Sequence, residues 1–159
     1  PIFLSSEKSA LNDAALKAIN GGAFTNAIIA GGENAVPESV DGSDIKIPST
    51  RFNGKDRYDT CSEFDAWAVG ASNDAIQPLL KMTYTRPAVS TGIGFADALA
   101  GSAYCGSNNS VLLLADEGNL ECIEKNLKDN ASSVVKVSIF GGTNAVPDTV
   151  RAAVKAAIG

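Results

Sequence analysis

Short apolar runs alternate along this chain with stretches whose apolar residues recur every three or four positions. The runs at 2–5, 27–30, 88–91, 111–114 and 134–140 predict strands. The stretches at 9–19, 57–69, 96–105, 120–127 and 146–158 carry the helical spacing: Leu11, Ala15, Leu16 and Ile19 share one face of the first, and Cys61, Phe64 and Ala68 one face of the second. Glycine pairs and prolines punctuate the elements, with Gly21-Gly22 closing the first helix, Asp41-Gly42 turning the chain, and Pro48 and Pro78 breaking it. The strands are continuous apolar runs, which suits strands covered on both faces. Alternation with helices then predicts an α/β fold of Rossmann-like three-layer units with a mostly parallel sheet.

The pattern also repeats. Gly31-Gly32-Glu33-Asn34-Ala35-Val36-Pro37-Glu38-Ser39-Val40 returns 110 residues later as Gly141-Gly142-Thr143-Asn144-Ala145-Val146-Pro147-Asp148-Thr149-Val150, with seven of ten positions identical. The offset holds back to the N-terminus, where Ile2-Phe3-Leu4 aligns with Leu112-Leu113-Leu114. A long fixed period predicts modules that pack side by side. The loop-rich stretch 41–49 separates an incomplete copy, residues 1–47, from a complete one, residues 48–159. The chain opens inside a strand-like run without Met or an apolar leader. That reads as a piece of a longer protein, with any targeting signal upstream.

Composition narrows the chemistry. No histidine occurs among the 159 residues, which removes His-based triads, His-ligated metals and the commonest general base. The three cysteines, Cys61, Cys105 and Cys122, form no C-x-x-C pair, so they read as small core residues, with a Cys61–Cys105 or Cys105–Cys122 disulfide left open. Gly92-Ile93-Gly94-Phe95-Ala96-Asp97 follows a strand and opens a helix, but Asp97 stands where a dinucleotide fingerprint has its third glycine. A carboxylate there would repel a pyrophosphate, so the glycines predict a tight turn and Asp97 a helix cap. No cofactor or metal is expected. Gly31, Gly32, Gly141 and Gly142 predict strand-ending turns that need positive φ or close approach. The net charge of −5 argues against nucleic acid, and no apolar run is long enough to insert in a membrane.

Charge is uneven, however. Lys46, Arg51, Lys55 and Arg57 face only Asp56 within residues 46–57, a local net charge of +3. The segment from Arg51 to Thr60 combines a turn at Gly54 with two guanidiniums, an ammonium and the Tyr58 phenol, donors that suit carboxylate, phosphate or sugar oxygens. The same residues admit a structural use, in which Asp56 or Asp59 pairs with an arginine to pin the helix start.

Arg51-x-x-Gly54-x-Asp56-Arg57-Tyr58-x-Thr60 resembles the R-x-x-G-x-D-R-Y-x-T-A opening of the cell wall binding type 2 repeat. Ser90-Thr91-Gly92 with Phe95 to Ser102, then Val111 to Leu114, then Ile139-Phe140-Gly141-Gly142 follow in that family's order. The resemblance implies a non-catalytic module that anchors secreted proteins of Gram-positive bacteria to anionic secondary wall polymers, at the extracellular surface. It also implies repeats that pack on neighbouring repeats or self-associate. Carried over, Arg51, Lys55, Arg57 and Tyr58 become the polymer contacts, while Gly54, Asp56, Gly92, Gly94 and Asp97 shape the turns and caps. Cys61 departs from the family's usual alanine. Two rival functions stand beside this one: part of a peptidoglycan hydrolase, and a protein–protein assembly module of the surface layer.

Overall fold

A computed structural model describes residues 1–5, 11–71, 76, 78 and 81–159. Helix α1 (Asp13–Gly21) begins at Asn12, whose side chain accepts the Ala15 amide at 2.9 Å, a cap that satisfies one of the free N–H groups of the first turn. Strand β1 (Ala27–Ala30) follows, then a π-wound turn at Val40–Asp44, then strand β2 (Ser49–Phe52). β1 and β2 run parallel, in register from Ala27 opposite Ser49 to Ala30 opposite Phe52. Leu11 and Ile19 pack with Ile29, Val40 and Ile45 into a small core that belongs to the first copy.

The second copy is larger. Helix α2 (Arg57–Ala68), strand β3 (Thr83–Ser90), helix α3 (Phe95–Ser107) and strand β4 (Ser110–Leu114) lead to a π-helical segment at Ile123–Leu127, strand β5 (Ser138–Phe140) and helix α4 (Asp148–Ile158). The three strands form a parallel sheet in the order β4-β3-β5. Val89, Val111 and Leu113 face the π-helical segment and α4, where Ile123, Leu127, Val146, Val150 and Val154 complete a dry core. Leu112 and Phe140 face the other way, onto α3. A Cβ at Gly101 would lie 2.9 Å from Leu112 Cδ1, so the absence of a side chain there lets α3 approach the sheet. The fold is α/β with parallel sheets and helices on both faces of the larger one, as the continuous apolar runs predict.

β2 couples the two copies. Its backbone pairs with β1 of the first copy, while its Phe52 side chain packs against Phe64 and Trp67 of α2, with ring centroids 5.4 and 5.6 Å apart. The segment counted by sequence with the second unit thus completes the sheet of the first.

Several element predictions are corrected. Residues 2–5 form no strand, and Ile2 and Leu4 are 89% and 86% exposed. Their repeat counterpart β4 is held by β3, whereas residues 2–5 pair with no strand among the described residues. β3 begins at Thr83, five residues before its apolar run; Pro87, which has no N–H to give a ladder, falls where the register shifts between Thr83 and Ala88. β5 spans only Ser138–Phe140, and the helix expected over 120–127 is π-wound from Ile123. The break expected at 72–74 lies outside the described residues. All three cysteines are free, and each thiol donates to a backbone carbonyl: Cys61 to Leu112, Cys105 to Val111 and Cys122 to Tyr58.

One buried carboxyl sits inside this frame. Asp65 on α2 is 4% exposed, and among the described residues its side chain has only Cys61 Sγ, at 4.0 Å, within hydrogen-bonding reach. Burial drives its pKa well above the usual carboxylate value, so the folded state retains a proton that the unfolded chain releases. Stability is therefore greatest below the unfolded pKa and falls as pH rises through the raised folded value. Asp41 and Asp116, whose pKa values are lowered, act oppositely, but only as pH falls below the ordinary carboxylate range. Thermal melting from pH 5 to 8 should show stability declining with pH in the native chain. The decline should flatten in Asp65→Asn, which should be the more stable protein at pH 8.

Candidate functional site at the carboxyl ends of the strands

The residues singled out by sequence collect where the parallel strands end. β2 leads through a tight loop into α2, β3 into the 91–94 turn, β4 into the 115–121 loop, and β5 into the Gly141-Gly142 turn. Open α/β sheets bind ligands at this edge, in the crevice where consecutive connections leave in opposite directions. Here that crevice lies between β3 and β5, because the chain passes from β3 to β4 on one side and returns to β5 on the other.

The loop before α2 is built from its own polar groups. Asp56 is the N-cap, accepting the amides of Tyr58 and Asp59 at 2.9 Å each. Asp59 accepts the Lys55 amide and Glu63 the Asn53 amide, each at 3.1 Å. A Cβ at Gly54 would lie 2.5 Å from the Thr60 amide nitrogen, so the loop closes this tightly only around glycine. The acids pin the helix start by capping amides, where the sequence offered pairing to an arginine.

The four candidate contacts meet different fates. The Arg51 guanidinium turns toward the first copy: it donates to the carbonyls of Gly31 (2.7 Å), Val36 (2.8 Å) and Pro37 (3.3 Å), and pairs with Asp41 at 2.5 and 2.9 Å. The Arg51 hydrogen bond holds Asp41 below the usual carboxylate range. The Tyr58 ring is buried, and its hydroxyl donates to Asp116 Oδ2. Burial first, and then that hydrogen bond, push the phenol to about 12. Burial raises Asp116, but hydrogen bonds from Tyr58, Asn119 and the Gly118 amide outweigh it and leave the carboxyl below its ordinary value. Lys55 is 63% exposed and meets Glu121 at 3.1 Å, a surface pair of small energetic weight. Arg57 is exposed and donates through Nη1 to the Gly92 carbonyl, tying α2 to the turn after β3.

Two openings flank these residues. A shallow cleft of about 120 Å³ lies among Lys55, Tyr58, Ser62, Asn119 and Lys125, with Asp56, Asp59 and Glu121 also on its walls. The crevice between β3 and β5, about 230 Å³, is bounded by Thr91, Ile93, Gly94, Asp97, Asn144 and Ala145. Ile93 on its wall is exposed, as are Phe95 and Leu99 of α3. Asp97 is not the cap of α3. The cap position is Gly94, without a side-chain bond, and Asp97 sits in the first turn against Gly141. Gly31 and Gly141 both take positive φ, +129° and +119°, so the turns of the two copies share one backbone conformation that side chains resist. Trp67 and Tyr104 pack against neighbouring rings. Among the described residues no cluster of His, Cys, Asp or Glu is placed to hold a metal ion, and no helix is long and apolar enough to cross a membrane.

Sequence reasoning missed Asp41, Asp116 and Glu121 as partners of these groups. Only Asp41 had a visible signal: its repeat counterpart is Arg151, a reversal of charge at the first position after the matching stretch.

Residues 51–151, nearly two thirds of the chain, match the family described as Cell wall binding domain 2. The chain belongs to that family. Its match begins at Arg51 in β2 and ends at Arg151 in α4, so the matched segment brackets the strand edge described above. Among solved structures, Cwp6 from Clostridium difficile superposes with a TM-score of 0.75 at 15% identity, over 95% of this chain and 23% of that one. That likeness is one of fold, and the chain spans about a quarter of the length of its structural relative. No curated protein matches it significantly.

The Tyr58–Asp116 bond fastens the wall-binding repeat's α2 to the loop after β4. Tyr58→Phe should cost about 1–2 kcal/mol in denaturant unfolding. It should also raise the Asp116 pKa toward an ordinary carboxylate value, measurable by carbon-detected NMR titration.

Proposed function

We propose that this cell-wall-binding module holds an anionic wall polymer at the carboxyl ends of β2 and β3, without catalysing its hydrolysis, and so anchors the protein that carries it at the cell surface. The observation that carries the reading is the placement of Arg57. Its guanidinium has five N–H donors in a planar fork, one nitrogen is used on Gly92, and the side chain remains exposed beside the crevice of the parallel sheet. Lys55 projects from the same loop, and its exposed pair with Glu121 exchanges for a polymer anion at little cost. Arg51 and Tyr58 serve the same site by position, since their polar groups are committed to Asp41 and Asp116.

Polymer anions meet a cationic spot on a protein of net charge −5, so binding through one module is weak and falls with salt. Affinity useful for anchoring then comes from several modules engaging one polymer, which raises the effective concentration of each. Family membership supports the wall as the partner, and the absence of histidine supports a binding role over a hydrolytic one.

Protein-stripped walls should pellet the native chain, and chemical removal of the anionic polymers should release it. Lys55→Ala with Arg57→Ala should weaken pelleting about tenfold and flatten its salt dependence, with the fold intact by circular dichroism. Unchanged pelleting by the double variant would place the polymer elsewhere. Pelleting that survives polymer removal would make peptidoglycan the partner.

A further inference from the structure

The two copies close the same turn with arginines from different places. In the first copy the carbonyls of Gly31 and Val36 receive Arg51, which arrives on β2, in the segment that opens the next copy. In the second copy the counterpart carbonyls, Gly141 and Val146, receive Arg151 at 3.0 Å each, and Arg151 belongs to the copy's own helix α4. The turns are otherwise alike. The amides of Ala35 and Val36 bond Gly32 O at 2.9 Å, and those of Ala145 and Val146 bond Gly142 O at 3.0 and 2.8 Å.

Position 41 in the first copy is position 151 in the second. Where Arg151 stands, the first copy has Asp41, the acid that grips Arg51. One substitution therefore changes two things together: it removes the carboxylate that an incoming arginine pairs with, and it fills the carbonyl cage with a resident cation. The Gly31 amide donates to Phe52 O of β2 at 2.8 Å, so the strand that brings Arg51 is hydrogen-bonded to the same turn its guanidinium closes.

We infer that this position sets which strand a repeat accepts. An acid there, as in Asp41, selects a strand bearing arginine at the Arg51 position; arginine there, as in Arg151, closes the turn from within and refuses such a strand at the β5 edge. The physical basis is local. A second guanidinium brought to Gly141 O and Val146 O would find both acceptors engaged and a like charge within the same cage, with no carboxylate to offset its desolvation. The two turns thus differ in the cation that closes them, Arg51 from the next segment in one and Arg151 from the copy's own helix in the other, although seven of ten turn residues agree.

The test uses a nine-residue peptide of sequence 47–55 at millimolar concentration, with amide hydrogen exchange of Gly141 as the readout. The native chain should show no added protection of Gly141. Arg151→Asp should show slowed Gly141 exchange with this peptide, and lose the effect when the peptide's arginine is replaced by alanine. Protection in the native chain equal to that in the variant overturns the inference, and so does a folded Arg151→Asp that gains none. The converse change is independent of whether that variant folds: Asp41→Arg should speed Gly31 exchange about tenfold while Gly141 is unaffected. Unaltered Gly31 exchange in Asp41→Arg likewise overturns it.

Discussion

The Arg51 guanidinium is the contact on which the joining of the two copies rests. It is largely buried, with a side chain 11% exposed, and it spends its donors on three carbonyls and one carboxylate of the preceding copy. The Pro37 carbonyl also accepts the Val40 amide at 3.0 Å, so the guanidinium matters most to the carbonyls of Gly31, whose φ is +129°, and of Val36. Asp41 supplies the compensating charge, so the cation is not left uncompensated in a partly dry place. Because Arg51 lies on β2, the same contact fixes the register of the β1–β2 pair. Through Phe52 it also fixes the position of α2.

That chain of constraint reaches the proposed binding edge. α2 starts five residues after the end of β2, its N-cap is Asp56, and the intervening loop is closed by Asp59 and Glu63 accepting backbone amides. From this fixed start, Tyr58 reaches the β4 loop and Arg57 the β3 turn. The loops at the strand ends are thereby held by side chains of one helix. The family motif running from Arg51 to Thr60 is mostly an assembly device, and Arg57 and Lys55 are the members whose charge remains toward solvent.

Much of this was legible in the residues. Continuous apolar runs between amphipathic stretches are enough for an α/β fold with parallel strands, and the 110-residue repeat marked Gly31 and Gly141 as equivalent turns. Other features were hidden for physical reasons. The β3 segment 83–87 reads as polar and contains Pro87, yet it pairs because its neighbours supply the ladder. Residues 2–5 read as a strand by composition but pair with no strand among the described residues, and pairing, not propensity, makes a strand. Positive charge at 46–57 looked free because partners such as Asp41 and Glu121, distant in sequence or outside the segment, are invisible to a local count. Asp97 followed the rule for a cap, but the helix begins at Phe95 and leaves it in the first turn.

Residue-resolved hydrogen exchange on Arg51→Ala, beside the native chain, tests the clamp most directly. The account predicts fast exchange at Gly31 and through the β1–β2 pair, with β3, β4 and β5 protected as before. Exchange unchanged at Gly31, or loss of protection spread evenly over both sheets, would contradict it.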